Sequence, residues 1–173
     1  MRLAAIALFA AILGAPAARA GTWKVNLGAE APLVAHDSNT GTKSLTDEFK
    51  PAFNLRLGYA PIDLLSFDAE ISERFWTNAP AGADSRVGTD LRLGVTLEPP
   101  LLPIYFLANV PIHLEPSPVT YGVRAGVGLT INLLLARLYL EGLLDFPLGG
   151  GTGSPDAFTQ QIFSLGGGVQ VRF

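Results

Sequence analysis

The chain has 173 residues, of which 49% are hydrophobic and only 16% charged, and it contains 19 Gly, 13 Pro and no Cys. This composition excludes a disordered tail, a disulfide scaffold, a thiolate metal site and a single long coiled coil. The mean hydropathy of +0.34 is high for a soluble domain, so the arrangement of the apolar residues decides the class of protein.

The first twenty residues, MRLAAIALFAAILGAPAARA, have the form of a cleaved secretory signal peptide (residues 1–20). Arg2 is the positive start, an apolar stretch follows, and Ala18-Arg19-Ala20 is a small-x-small cleavage site. The apolar stretch is shorter than the roughly 20 residues of a bilayer-spanning helix. Loss of two arginines from 12 basic residues leaves 10 against 15 acidic ones, a balance that argues against nucleic acid as a partner.

Period-two alternation of apolar and polar residues runs through the rest of the chain and predicts β-strands. In VGTDLRLGVTLE, residues 87–98, the Val and Leu side chains fall on one face, and charged residues such as Asp90 and Arg92 fall on the other. Residues 119–131 and 163–173 alternate in the same way. No run of 18 uninterrupted apolar residues follows the signal peptide, so a helical membrane span is excluded by length.

Eight segments alternate in this way, and eight is the smallest usual strand number for a closed transmembrane barrel. Polar loops rich in Gly, Pro, Ser and Asp alternate with short tight turns, which is the asymmetry of bacterial outer-membrane barrels. We therefore predict an all-β, eight-stranded antiparallel up-and-down transmembrane β-barrel over residues 21–173. The predicted strands are 22–34, 49–60, 64–76, 87–98, 103–114, 119–131, 135–147 and 159–173, and the predicted long loops are 35–48, 77–86, 115–118 and 148–158.

A short motif recurs at the spacing of a β-hairpin. LRLG occurs at 55–58 and 91–94, VRAG occurs at 123–126, and each precedes a turn that contains a Leu-Leu pair. The arginines lie 36 and 32 residues apart, which is two strands plus two connections. The alternative is a coincidental match in a Leu-rich chain. In either case each Arg lies on the face opposite the leucines.

If the apolar face meets lipid, the other face lines the lumen, and its six basic and seven acidic residues are nearly balanced. Unpaired charge is costly in a low-dielectric interior, so we expect ion pairs. Side chains just fill an eight-stranded barrel, so the lumen is predicted to be plugged, with a narrow polar channel as the alternative. The predicted lumen charge network is Arg56, Asp68, Glu70, Asp90, Arg92, Arg124, Arg137, Glu141 and Arg172, and the other inward charges are Lys24, Glu30, Glu98 and Asp145.

The C-terminus, GGGVQVRF, ends in an aromatic residue, Phe173, with Val169 and Val171 alternating before it. With this ending, the chain after residue 20 resembles the small eight-stranded outer-membrane β-barrel proteins of Gram-negative bacteria, a class that includes the OmpA-type and OmpX-type barrels. The resemblance implies outer-membrane lipid as surroundings, recognition by the barrel assembly machinery, periplasmic termini and four surface loops. Val171 departs from the pattern, because an aromatic is usual there.

The resemblance transfers no activity, since the class includes adhesins, structural anchors and enzymes. We expect a monomer with a structural or cell-surface interaction role, no cofactor and no enzymatic activity. The alternatives are a narrow pore for small solutes, a soluble lipocalin-type ligand-binding barrel, and a lipid-modifying barrel enzyme. The charges on the polar face argue against the lipocalin type, whose interior would be apolar.

Catalytic and metal-ligating residues are few. His36, Asp84 and Ser85 resemble in order the loop-borne His, Asp and Ser of the lipid A palmitoyltransferase barrel, but that family carries an amphipathic helix ahead of the barrel, whereas here the strand is expected to start at Trp23. Surface loops are rich in such residues in any case. His113 is predicted to face inward near the loops as a polar filler. The loop acids are too few for more than weak Ca²⁺ contact, so no metal site is predicted.

Two segments fit the barrel poorly. The fifth strand contains Pro103 and Pro111, which would need a bulge or a position at the rim, and its Leu107 would point inward. Glu73 falls on the lipid-facing side of the third strand. A charge is tolerated there only above the hydrocarbon band.

Overall fold

A computed structural model describes residues 21–45, 52–75, 87–114, 119–149 and 159–173. The predicted signal peptide lies outside the described residues. No helix in the described part of the chain is both long and apolar enough to span a bilayer. Nine strands are described: β1 Thr22–Asp37, β2 Gly41–Ser44, β3 Ala52–Ile62, β4 Leu65–Phe75, β5 Val87–Leu97, β6 Ile104–His113, β7 Thr120–Asn132, β8 Arg137–Gly149 and β9 Gln160–Arg172.

Eight of these strands form a closed antiparallel barrel. β1 pairs with β3, each later strand pairs with the next, and β9 pairs back with β1. At the closing seam, Trp23 and Phe173 exchange both backbone hydrogen bonds, at 2.9 and 3.0 Å. This end of the barrel, called the turn end, also carries the three short connections, and the opposite end is the loop end. The predicted fold class, an all-β eight-stranded up-and-down barrel, is confirmed.

β2 was not predicted, because it lies inside the segment interpreted as the first long loop. β1 continues to Asp37, three residues beyond the predicted end, and β2 folds back on it as a hairpin. The Asp37 carboxylate accepts hydrogen bonds from the N–H groups of Asn39 and Thr40 at 2.8 and 3.0 Å, and Gly41 has a φ of 88°. The sequence DSNTG is a turn signal for these reasons. The same two N–H groups hold the pKa of Asp37 below its usual value.

The two poorly fitting segments are accommodated at the strand ends. β6 begins after Pro103, so that residue needs no ladder donor. Pro111 lies within β6, and the pairing of β6 with β7 is interrupted between Asn109 and Ile112, because proline has no N–H to donate. Glu73 lies near the loop end of β4 and accepts a hydrogen bond from the Thr89 hydroxyl at 3.2 Å.

The two faces of the barrel wall have opposite polarity. Large apolar side chains point outward and are exposed, among them Leu27 at 61% and Leu129 at 51%. Charged side chains point inward and are buried, among them Arg92 at 1% and Glu141 at 2%. Soluble proteins have the reverse arrangement. The wall is therefore built for apolar surroundings, and the interior is not the apolar pocket of a lipocalin-type barrel.

Candidate functional site

Buried ion pairs form one continuous group, called the central network. It crosses the lumen from wall to wall, midway between the two ends of the barrel. Its arginines and carboxylates come from β1, β3, β4, β5, β7 and β8, so it ties together strands on all sides of the wall. Its members are Glu30, Arg56, Glu70, Arg74, Asp90, Arg92, Tyr105, His113, Arg124, Glu141 and Asp145.

Arg92 lies at the centre of this network, with only 1% of its surface exposed. Its two terminal nitrogens donate to both Glu30 oxygens, at 2.6 and 3.0 Å. It also donates to Glu70 and, at 3.3 Å, to Asp90. A planar guanidinium suits this shared geometry, since it presents five N–H donors in a fixed fork.

Two further arginines extend the network in opposite directions. Arg124 donates to Glu30 at 2.7 and 3.2 Å and to Asp145 at 2.5 and 2.9 Å. Arg56 donates to Glu70 at 2.6 Å and to Glu141 at 2.8 and 3.1 Å. Each arginine thus bridges two carboxylates on different strands, which satisfies charges that would otherwise be buried without partners.

Some of these contacts follow from strand pairing and others from closure of the barrel. Glu70 lies directly opposite Arg56 on one side and Arg92 on the other, so two of the ion pairs are cross-strand neighbours. Glu30 lies on β1 and pairs with neither β5 nor β7 in the sheet. Its contacts with Arg92 and Arg124 therefore run across the lumen.

Two inward tyrosines also occupy the lumen, and neither was among the predicted lumen residues. The Tyr105 hydroxyl donates to Glu141 at 2.6 Å, and its ring lies over Gly128, where an added Cβ would be 2.1 Å from Cζ. The Tyr139 hydroxyl lies over Gly28 in the same way, with an added Cβ at 2.1 Å. Glycines on the inner wall therefore make the space that the rings occupy. Tyrosines at inward positions beside inward glycines were the available signal.

The loop end of the network surrounds Asp90. Its carboxylate contacts His113 Nδ1 at 2.6 Å and accepts from Arg74 at 3.1 Å. Arg74 was not among the predicted inward charges, although the alternation of β4 places it on the same face as Glu70. A cavity of about 220 Å³ opens here toward the loops, with Arg74, His113 and Asp145 in its lining.

A second group of charges, the turn-end cluster, surrounds Glu98. This carboxylate accepts from Lys24 and Arg172 and, at 3.2 Å, from Arg137. Burial disfavours the charged carboxylate, but the hydrogen bonds and charges of Lys24 and Arg172 outweigh that effect and hold the pKa of Glu98 below its usual value. A cavity of about 500 Å³ borders the cluster.

The structure thus divides the nine residues of the predicted lumen charge network between these places. Arg137 and Arg172 belong to the turn-end cluster. Asp68 has no ion pair of its own among the described contacts and accepts from the hydroxyls of Thr96 at 2.5 Å and Ser66 at 3.4 Å. The remaining six lie in the central network: Arg56, Glu70, Asp90, Arg92, Arg124 and Glu141.

Arg74 raises the inward basic residues from six to seven and balances the seven inward acids of the described chain. The formal charges of the lumen therefore cancel when His113 is neutral. The seven cations are Lys24, Arg56, Arg74, Arg92, Arg124, Arg137 and Arg172, and the seven anions are Glu30, Asp68, Glu70, Asp90, Glu98, Glu141 and Asp145.

The remaining sequence candidates lie away from the two charge groups or outside the described residues. His36 lies exposed on the β1–β2 hairpin, and its Nδ1 is 2.8 Å from the Thr42 hydroxyl. Asp84 and Ser85 lie outside the described residues. Across the described ranges, no group of three or more His, Cys, Asp or Glu side chains could hold a metal ion.

The three residues of the predicted C-terminal assembly signal lie along the outer wall. Val169 and Val171 point outward from β9 and are 41% and 44% exposed, and they lie opposite Leu27 and Val25 of β1. Phe173 follows the end of β9 and is 60% exposed. The ending is therefore part of the strand that closes the barrel.

No protein-family model matches the sequence, and no curated protein matches it. Among solved structures, Neisserial surface protein A (NspA) superposes with a TM-score of 0.59 at 17% identity, over 88% of this chain and 99% of that one. Ail, the attachment invasion locus protein of Yersinia pestis, matches with a TM-score of 0.47 at 14% identity, over 89% of this chain and 99% of that one. At 17% identity, the match to NspA shows the fold. It confirms that the barrel resembles the small eight-stranded outer-membrane type.

Proposed function

We propose that the mature chain is a monomeric integral protein of the Gram-negative outer membrane, with a structural or cell-surface interaction role and no enzymatic activity. The observation that carries this proposal is the inverted polarity of the wall, with exposed leucines outside and buried charges inside. Contiguous apolar surface of this extent calls for apolar surroundings, and a closed barrel leaves no unpaired strand edge in lipid.

The central network supports a closed lumen. Arg92, Arg56 and Arg124 bridge carboxylates across the interior, and two cavities bordered by Arg56 measure only about 10 Å³ each. That volume is about the minimum for one water molecule. On this proposal the two larger cavities are wet entrances that end at the central network, and no continuous path for ions connects them.

The orientation follows from the two ends of the barrel. In bacterial barrels the short turns face the periplasm and the longer loops face outward. β1 begins at Thr22 and β9 is followed by Phe173, and both residues lie at the turn end. We therefore place the termini in the periplasm. We also propose that residues 1–20 direct export and are then cleaved. The barrel assembly machinery would recognise Val169, Val171 and Phe173 and insert the chain into the membrane.

Expression of the full-length chain in a Gram-negative host tests the location. Outer membranes are isolated, and the protein is run on SDS gels with and without boiling. A mobility shift on boiling, in the outer-membrane fraction, is expected for a closed barrel that resists SDS. A soluble protein in the periplasm or medium, without a shift, would contradict the proposal and favour a ligand-binding barrel.

A narrow pore for small solutes is the second candidate, and the cavities at both ends of the lumen favour it. Current steps from the wild-type protein in planar bilayers would establish this function, provided that Arg92→Ala or Glu141→Gln changes them. The closed-lumen proposal expects no steps from the wild type.

A further inference from the structure

Three connections at the turn end, called the leucine turns, present large apolar side chains to the outside. They comprise residues 62–64, 99–102 and 133–135. Leu101 is 103% exposed, Leu134 is 97% and Leu135 is 85%. Turns of soluble proteins are usually built from Gly, Pro, Asn, Asp and Ser, so this composition calls for a different environment.

The charges near these turns are directed into the lumen rather than outward. Glu98 and Arg137 flank the leucine turns, and both belong to the turn-end cluster. Asp63 is the one exposed charged residue within the three leucine turns. The outer surface of the leucine turns themselves is therefore almost uncharged, which removes the main cost of their contact with lipid.

Part of the leucine-turn backbone has no free donor, which matters because a free donor is costly in lipid. Proline, which has no N–H, occupies residues 99 and 100 and also flanks the turns at 61 and 103. Within the turns, the N–H of Leu102 donates to the Pro99 carbonyl at 3.4 Å and the N–H of Leu133 donates to the Ala136 carbonyl at 2.8 Å. The N–H of Glu98, beside the second turn, donates to the Leu64 carbonyl at 2.8 Å.

Leu101 adds an independent observation. Its φ of 71° is in the left-handed region, where a residue with a Cβ is strained and glycine or asparagine is usual. The Leu101 side chain is fully exposed, so packing against the rest of the protein does not compensate for this strain. Contact with an apolar medium would offset the strain.

The leucine turns are continuous with the apolar outer wall. On β7 the outward side chains run from Tyr121 to Ile131 and lead into Leu133, Leu134 and Leu135. At roughly 3.3 Å per residue and a tilt of about 45°, the strand portion alone rises by about 23 Å, which nearly fills the apolar band of about 25 Å in such barrels. The leucine turns therefore extend the apolar surface past the lower edge of that band.

We propose that the leucine turns insert into the phospholipid leaflet on the periplasmic side of the outer membrane, with their side chains at the boundary between headgroups and acyl chains. This inference rests on the proposed outer-membrane location. Phospholipid fits better than a protein partner, because protein interfaces are enriched in aromatic residues, Met and Arg, whereas leucine is under-represented at binding hot spots. Proline, leucine and isoleucine make up nine of the ten residues of the leucine turns.

Site-specific tryptophan fluorescence tests the proposal. The native tryptophans are first replaced, as Trp23→Phe and Trp76→Phe, and Leu134→Trp is then introduced as the probe. Leu93→Trp, at an outward position in the middle of β5, is the matched probe for the barrel wall. Each full-length mature chain is folded into vesicles of phosphatidylcholine brominated either near the headgroup or deep in the acyl chains.

The proposal expects lipid brominated near the headgroup to quench the fluorescence of Leu134→Trp. Iodide in the water should quench it little. Quenching of Leu134→Trp by iodide and not by either lipid, while Leu93→Trp is quenched by lipid, would overturn the proposal and leave the barrel in the membrane. Failure of lipid to quench Leu93→Trp would overturn the proposed function as well. Leu135→Trp, on the same turn, replaces Leu134→Trp if that variant does not show the shift on boiling.

Discussion

The central network and the turn-end cluster use the same residue types in different surroundings. In the central network, Arg92 and Glu30 have side chains only 1% and 4% exposed and share a two-pronged contact. In the turn-end cluster, the Glu98 side chain is 15% exposed and forms ion pairs with three cations. Two of them, Arg172 and Arg137, are 25% and 28% exposed. Water can compensate a lost partner at the mouth of the barrel, but not at its middle.

The difference assigns separate roles to the two groups. The central network joins strands across the lumen through buried ion pairs, and on the proposed function it also closes the lumen. The turn-end cluster holds its charges at the mouth of the lumen, away from the outer surface of the turns, as the proposed contact of the turns with lipid requires. Substitutions that remove one charge from each group should therefore have unequal effects on stability.

Arg92→Ala is expected to have the largest effect. It leaves Glu30, Glu70 and Asp90 without their shared cation in a buried site, which lowers the free energy of unfolding by about 3–5 kcal/mol. Urea unfolding of the protein folded in lipid vesicles measures this change. Arg172→Ala, from the turn-end cluster, is the matched control and should cost less than about 1 kcal/mol. Equal losses in the two variants would contradict the comparison.

Gly128→Ala sharpens the account of how the lumen is filled. The added Cβ would lie 2.1 Å from Tyr105 Cζ, so the ring must move and its bond to Glu141 is lost. Overpacking of this kind costs about 1–3 kcal/mol. Gly142→Ala is the control, because its Cβ points outward and meets only Phe163, at 3.8 Å. A similar change in unfolding midpoint for both variants would show that the Tyr105 ring does not depend on the space left by Gly128.

Glu98→Gln is expected to have a smaller effect that depends on pH. Because the folded pKa of Glu98 lies below its usual value, its contribution is present above the unfolded pKa of about 4.3 and is lost as the pH falls through the folded pKa. At pH 7 the variant should be destabilised by no more than about 1 kcal/mol. The free energies of unfolding of the wild type and Glu98→Gln, measured across this pH range, should become equal in acid. A constant difference at all pH values would rule out this contribution.

Glu73→Gln is expected to have the smallest effect. Glu73 lies on the outer wall near the loop end, where its one described side-chain partner is the Thr89 hydroxyl, and the cost of charge is low near the interface. The free energy of unfolding should change by less than about 0.5 kcal/mol. A stabilisation of several times that size would place Glu73 within the hydrocarbon and require a deeper position of the barrel.

Alternation along the sequence was sufficient to predict the barrel and to place the charges of neighbouring strands on its inner face. Once β3, β4 and β5 are aligned as hairpins, Glu70 falls between Arg56 and Arg92. The contact of Glu30 with Arg92 could not be predicted in this way, because it depends on how the sheet closes and on the shear of the strands. Local sequence carries no information about which residues meet across the lumen.

Two other features were missed for different reasons. β2 and the last residues of β1 lie in a mostly polar stretch, where no regular alternation of apolar and polar residues reveals a strand, and the Asp37 turn was the local signal. The rings of Tyr105 and Tyr139 fit into the lumen because Gly128 and Gly28 leave space for them. That complementarity depends on the register between separate strands.

Closure of the lumen by the central network is tested most directly by current recordings in planar bilayers. The wild-type barrel is compared with a Glu30→Ala, Arg92→Ala double variant, which removes an anion and a cation together and so leaves the net charge unchanged. The account predicts no current steps for the wild type and discrete steps for the double variant, because water would then join the two cavities. Steps of equal size in both proteins would contradict it.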